Sequence, residues 1–486
     1  MTDDARGDDL PPPEALLGRV AGDPGEDSPV DRSGPAVRTA LACLRAGIEA
    51  AMPEAVIRES VALEGDALRV ADATYDLGDH DEVLVVGGGK AAGGVADALV
   101  DLLGDRLDDG VVVVPGAVGD EAEPDGPGGD GSSDPIDRVA GGHPVPTPGS
   151  VAGGERVLEL AEGADERTLV LTVVTGGASA LLAAPAAGVD LPDLRETTDA
   201  LLSAGVDIDG VNAVRKHLSR VKGGRLASAA APATVVGLLF SDVVGDDPAV
   251  IGSGPVSPDP TEFADALAVL DRHGVDAPQS VRARLESGAR GETPETPGAE
   301  DPAFARVSTH VLADGRTAID AAAGVARDRG YDALVVSSRL RGEARECGTF
   351  HVGIAEEVAT AGDPVAPPAV LLSGGETTVT VAGDGEGGPN AECALAAGVD
   401  LVDRRSPLSD RDGDCAFLAV DTDGRDGSTD AAGALVTPDS VADAEAALAA
   451  LDDNDAVGYF REAGGLVITG PTGTNVDDLR VLVVEE

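Results

Sequence analysis

The chain has 486 residues, and 88 acidic against 35 basic side chains leave it a formal net charge of −53. At ~150 residues per domain this length means two or three domains, and so acidic a surface excludes nucleic acid and anionic membranes as partners. Apolar residues reach 42% but aromatics only 2%, so the core must be packed from Ala, Val and Leu.

Self-repulsion of this size is relieved when molar salt shortens the screening length to ~3 Å, which points to a protein of a salt-rich, halophilic cytoplasm. Residues 1–33 are acidic and rich in Pro and Gly, and read as a disordered tail without the apolar stretch of a signal peptide. No run of ~18 apolar residues is present to span a bilayer, so the expected location is cytoplasmic. Four cysteines (Cys43, Cys347, Cys393, Cys415) form no C-x-x-C pair and read as small buried hydrophobes. Only three basic residues are lysines, namely Lys90, Lys216 and Lys222, against 32 arginines. Lysine is a compact charge that approaches phosphate as a point, so these three positions stand out.

In chain order, a helix is expected from Val37 to Met52 and a strand over 82–86, which runs into Gly87-Gly88-Gly89-Lys90. A helix from Ala91 to Leu103 and a strand over 111–114 then complete a βαβ unit. Residues 117–137 read as a flexible surface insertion. The pattern repeats with a helix near 151–162 and a strand 168–174 ending in Thr175-Gly176-Gly177. Helices near 192–204 and 208–229 follow, then a strand 234–240 ending in Ser241-Asp242, and a helix near 261–273. A linker is expected at 291–304. Beyond it come a helix 315–329, a strand 332–337, a helix 346–361 and a strand 369–372 leading to Ser373-Gly374-Gly375-Glu376. A helix 390–402, a strand 416–420 leading to Asp421-Thr-Asp423-Gly424, and a strand near 480–484 close the chain. Alternating strands and helices mean α/β architecture in two domains, with a mostly parallel sheet in the first. The first is expected over 34–290 and the second over 305–486.

Ligands of open parallel sheets bind beyond the carboxyl ends of the strands. The recurring glycine turns (Gly88 and Gly89; Gly176, Gly177 and Ser179; Ser373, Gly374, Gly375 and Glu376) would let backbone N–H groups approach an anion. Together they point to an anionic substrate with a nucleotide. The first turn lacks the glycine spacing and following hydroxyl of a Walker A loop. It satisfies a loose G-x-G-x-x-A dinucleotide pattern, yet the next strand ends in Val114-Pro115-Gly116 without the acid that binds a ribose, which disfavours a nicotinamide cofactor. On a 208–229 helix, Arg215, Ser219 and Lys222 would share a face near Asn212 and Lys216, as a solvated basic face or an anion site. His143 reads equally as a proton carrier or as a donor ordering its loop. Asp242, Asp246, Asp247, Asp421 and Asp423 could hold Mg²⁺ through one or two oxygens, or cap turns and helices.

The segments GGGKAA (87–92), GHPVP (142–146), TGGASALL (175–182) and NAVRKHLSRVKGGRLA (212–227) resemble the glycerate 2-kinase family, in a haloarchaeal-like, acidic form. So do SDVVGDDPAVIGSGPVSPDPT (241–261), LLSGGETTVTV (371–381), VDTDGRDGSTDAAGALV (420–436) and TGPTGTNVDDL (469–479). The resemblance covers roughly 35–485 in order. It implies a Rossmann-like N-terminal domain and a smaller α/β C-terminal part that includes a MOFRL domain, about 367–484, with the active site in the cleft between them. It further implies ATP-dependent phosphorylation of D-glycerate at its 2-hydroxyl, with a divalent metal such as Mg²⁺, and leaves homodimerisation open. The family's catalytic lysine falls on Lys90. Its second catalytic residue, the arginine of G-G-R-N-Q-E, falls on Pro389 within Gly388-Pro389-Asn390-Ala391-Glu392. Another cation would then have to serve, with Lys216, Lys222 and Arg215 as candidates. Asn390, Glu392, Thr472 and Asn475 complete the implied binding set. Relatives of this family have also carried the label hydroxypyruvate reductase, and a non-catalytic metabolite-binding paralogue is the third alternative.

Overall fold

The structure, a computed structural model, describes residues 34–116, 134–409 and 414–486. The expected tail at 1–33 and most of the expected insertion, 117–133, lie outside the described residues. The chain forms two compact units: Pro53–Leu312, and a second in which the segment up to Met52 joins Ala313–Glu486.

The first unit opens with a small antiparallel sheet of β1 (Val61–Glu64), β2 (Ala67–Val70) and β3 (Ala73–Asp76). Its main sheet contains β4 (Glu82–Gly88), β5 (Asp109–Pro115), β6 (Ile136–Gly141), β7 (Thr168–Val174), β8 (Thr234–Phe240) and β9 (Val307–Ala313), in the order β6-β5-β4-β7-β8-β9. Numbered within the sheet this is the order 3-2-1-4-5-6 of a doubly wound nucleotide-binding fold, and every pair from β6 to β8 is parallel. β4 and β7 are buried almost throughout and read as continuous apolar runs, because helices cover both faces of a parallel sheet. The order reverses between β4 and β7, which is where such sheets open a crevice. β6 already begins at Ile136, inside the segment expected to be an insertion.

The second unit holds β10 (Asp332–Ser337), β11 (Ala369–Gly374), β12 (Cys415–Asp421), β13 (Gly433–Val436), β14 (Leu466–Val467) and β15 (Asp478–Val484), ordered β10-β11-β15-β12-β13-β14. Only β10 and β11 run parallel; the other pairs are antiparallel. The molecule is therefore α/β, with a main sheet that is parallel from β6 to β8, a mixed second sheet and a small antiparallel one.

Helix Pro35–Ala51 belongs to this second unit, although it precedes the first in sequence. Its Val37, Leu41, Leu44 and Ile48 join Ile319, Ala322, Leu479 and Val481 in one core. A side chain on Gly47 would meet Leu479 Cδ2 at 2.7 Å and the Ala318 carbonyl at 3.0 Å, so the helix seats directly on β15 and helix Gly315–Asp328. The sequence reading assigned 34–290 to one domain and 291–304 to a linker. The structure differs because helical periodicity reveals a face to be buried and not the partner that buries it. Among the described residues no helix is long and apolar enough to cross a membrane.

Candidate active site

At the reversal of the parallel sheet, the turns after β4 and β7 are stitched together. Gly89 has φ 141°, and a Cβ there would overlap the Thr175 hydroxyl, so only glycine lets the two turns meet. Lys90 N–H donates to the Gly176 carbonyl (2.8 Å), Ala91 N–H to Thr175 Oγ1 (3.1 Å), and Thr175 N–H to the Gly88 carbonyl (3.2 Å). These three amides are thus used inside the protein, to hold the two turns together. A Cβ on Gly177 would lie 2.8 Å from His143 Cδ2 and 3.2 Å from Lys90 Cγ, so Lys90 and His143 flank the same turn. Lys90 is half-buried.

Next to this turn, the Ser179 and Ser253 hydroxyls are 2.8 Å apart, and Ser253 Oγ donates to Asn212 Oδ1 (2.9 Å). Ser253 was not singled out in the sequence. It sits at φ 64° between Gly252 and Gly254, both also at positive φ, a strained conformation that clusters at functional sites. The Gly-Ser-Gly triplet was the available signal.

Asn212 is carried by helix Ile208–His217, capped by Asp207, which accepts from Gly210 N–H (2.8 Å). The expected single helix 208–229 ends at His217, and after a non-helical stretch through Gly223 (φ 57°) and Gly224 (φ 76°) a second helix, Arg225–Ala230, begins. Arg215, Ser219 and Lys222 therefore do not share a helix face. Arg215 and Lys222 nevertheless come together, because Lys222 Nζ folds in to donate to the Leu182 carbonyl (2.9 Å) behind the β7 turn. Burial, and then the Arg215 charge, push the Lys222 ammonium down to about 7; burial also lowers Arg215. Among the described residues no carboxylate offsets either cation. Lys216 differs: it forms a buried ion pair with Asp259 (3.1 Å). Burial alone would raise that carboxyl, but the Lys216 charge and the Thr261 donors hold it below its ordinary range.

Asp242 follows β8 and is half-buried, while Asp247 is exposed and accepts from Ala249 N–H (2.8 Å) to shape its turn. Asp421, the last residue of β12, and Asp423 in the turn after it belong to the other unit, and each accepts a backbone N–H, from Asp423 (2.9 Å) and Arg425 (2.8 Å) respectively. Among the described residues no group of three or more His, Cys, Asp or Glu side chains is gathered at metal-holding spacing.

In the second unit, β11 ends in Ser373-Gly374 and leads into a turn at Gly375-Glu376. Arg480 lies fully buried beneath this turn and donates to the Gly375 carbonyl (3.0 Å), Thr377 Oγ1 (2.8 Å) and Asp478 Oδ2 (2.6 Å). An arginine inside the apolar run Leu479–Val484 was a visible signal that the sequence reading passed over. Asn390 Nδ2 donates to Asp478 Oδ1 (2.7 Å), and the Asp426 carboxylate caps helix Pro389–Leu401 by accepting from Asn390 N–H (2.9 Å) and Ala391 N–H (2.7 Å). Burial lifts the Asp426 carboxyl to about 7. Glu392 is held by Arg345 (2.6 Å) and Asn454 (3.0 Å). Asn390 and Glu392 thus order the turns of this unit. Thr472 Oγ1 donates to the Thr422 carbonyl (2.6 Å), and Asn475 is buried nearby in the chain.

Residues 39–286 match a family model described as a domain of unknown function (DUF4147), and residues 369–478 match the MOFRL family. The glycerate 2-kinase of Pyrococcus horikoshii is 36% identical over 447 residues, which cover 90% of this chain and 94% of that one. The chain belongs to the glycerate 2-kinase family. The D-glycerate 2-kinase of Thermotoga maritima is also 36% identical, over 91% of this chain and 97% of its own. The crystal structure of glycerate kinase from Thermotoga maritima matches the fold with a TM-score of 0.75 at 34% identity, covering 92% of this chain and 99% of that chain. A putative hydroxypyruvate reductase of Agrobacterium vitis is 41% identical over 82% of this chain and 87% of its own.

Proposed function

We propose that this member of the glycerate 2-kinase family transfers a phosphoryl group from ATP to the 2-hydroxyl of D-glycerate, giving 2-phosphoglycerate. One observation carries the reading beyond family membership. In a chain of net charge −53, Lys90, Arg215 and Lys222 are concentrated around the two turns at the sheet's reversal point, and the last two have no carboxylate to offset them among the described residues. A transferring phosphoryl group needs positioned positive charge and little else from the protein. Lys90 stabilises the charge on that group, and Ser179, Ser253 and Asn212 orient the substrate by hydrogen bonds. Arg215 and Lys222 take the place of the arginine that Pro389 lacks. Lys216 is not needed for this role, since Asp259 already balances it. Mg²⁺ uses one or two carboxylates together with substrate phosphates rather than a full protein cage, so the half-buried Asp242 beyond β8 suits it. Bound there, the ion would neutralise the triphosphate.

The reductase reading requires a ribose-binding acid at the end of the second strand of the sheet, and β5 ends instead in Val114-Pro115-Gly116. A coupled assay in molar KCl separates the readings: ATP with D-glycerate should yield 2-phosphoglycerate, and NADH with hydroxypyruvate should stay unoxidised. Oxidation of NADH without phosphoryl transfer would overturn the proposal, and silence in both arms would favour a binding paralogue.

A further inference from the structure

Helices Ala344–Ala361 and Pro389–Leu401 cross so closely that a side chain on Gly348 would overlap the Cys393 carbonyl oxygen. This crossing brings two of the four free cysteines, Cys393 and the Cys347 that precedes Gly348, to the contact between the two helices. Cys347 is partly exposed and Cys393 fully buried. One helical turn on, His351 Nδ1 lies 2.7 Å from the Cys347 carbonyl oxygen and 3.7 Å from its sulfur, while Nε2 lies 2.8 Å from Ser373 Oγ. A carbonyl can only accept, so Nδ1 carries the proton and Nε2 accepts from the Ser373 hydroxyl. That tautomer aims an N–H at the Cys347 sulfur. The bond from Cys393, then this imidazole and the Arg480 charge, hold the Cys347 thiol well below its ordinary range, while Cys393 is pushed well above it. Cys43 shows the contrast: it is buried, bonded to the Ala322 carbonyl (3.4 Å) and raised to about 12.

We propose that Cys347 and Cys393 form a thiol–disulfide exchange pair that takes a low-molecular-weight disulfide as its co-substrate, with Cys347 attacking and Cys393 resolving. The Cys347 thiolate attacks one sulfur of the incoming disulfide; its S–S bond breaks, one thiolate leaves and is protonated by water, and a mixed disulfide forms on Cys347. Cys393 then gives up its proton to the second departing thiolate as it attacks the Cys347 sulfur. Two protein thiols and one small disulfide become one protein disulfide and two small thiols. The Cys347 side of the pair lies one imidazole away from Ser373, next to the last residue of β11.

The test treats the full chain in molar KCl with oxidised glutathione, then counts thiols after unfolding and maps bonds in an unreduced digest by mass spectrometry. The count should fall from four to two, with one peptide pair joined through Cys347 and Cys393. Cys393→Ala should instead retain a single glutathione adduct on Cys347. Four thiols surviving the treatment, oxidation falling on Cys43 or Cys415, or a wild-type adduct on Cys347 that persists unresolved would each overturn the proposal. The wild-type map needs no variant to fold.

Discussion

Lys90 flanks the turn at Gly177 together with His143, half-buried and outside the apolar core. Replacing it with Ala should lower kcat by about 10²–10³, the cost typical of removing one group that stabilises transition-state charge, and leave the melting temperature nearly unchanged. Turnover equal to wild type would remove Lys90 from the mechanism. Lys222 makes a prediction in pH. Its folded value is about 7 against 10.5 for the ordinary side chain, so between these limits the unfolded chain holds a proton that the folded chain has released. Stability should therefore rise with pH across that window, by up to about 1.4 kcal/mol per pH unit, and the gain should vanish below pH 7. Denaturant melts of wild type against Lys222→Met, compared at each pH, isolate this contribution; a difference independent of pH would contradict it. The scarcity of lysine marked all three positions alike. The partner that distinguishes Lys216 lies 43 residues away at Asp259, and pairing at that distance leaves no local pattern.

Among the elements, long apolar runs were the most legible: β4, β7 and β8 fall on the expected segments, because buried parallel strands need unbroken Val and Leu, and the half-buried β10 does so too. The weakly amphipathic pieces were not foreseen. β1 to β3, β9, β13 and β14 are short or only partly buried, and helices Gln279–Ala289, Ala444–Asp452 and Ala456–Ala463 lie among turn residues that mask their periodicity. Two predictions belong to this scale. Asp426→Ala should strip two backbone N–H groups of their cap at helix Pro389–Leu401 and cost ~2 kcal/mol or more in denaturant unfolding, whereas Asp426→Asn keeps an acceptor and should cost less. Leu44→Ala should open a cavity worth ~2–5 kcal/mol. Its mark in hydrogen exchange should be lost protection in helix Gly315–Asp328 and β15, with β4 unaffected. Loss confined to β4 would contradict the assignment of helix Pro35–Ala51 to the second unit.

For the whole molecule, charge dominates. At −53 the folded chain repels itself over a screening length that falls from ~10 Å in 0.1 M salt to ~3 Å in 1 M. The melting temperature should climb steadily as KCl is raised from 0.1 M through the molar range, with NaCl giving nearly the same curve; a flat profile would mean that the acidic surface is not what limits stability.

Composition and local pattern alone were enough to establish an α/β chain with Lys90 beside a glycine turn, and the order of its motifs carried the resemblance to the glycerate 2-kinase family. Strand periodicity, rare residue types and motif order are written along the chain, and need no knowledge of what packs against what. Only the tertiary structure revealed that helix Pro35–Ala51 completes the distant unit, that Lys216 is neutralised by Asp259 while Arg215 and Lys222 are not, and that Cys347 meets Cys393. Each of these depends on which buried faces and charges meet across tens to hundreds of residues, a choice made by packing and desolvation rather than by any neighbour in sequence.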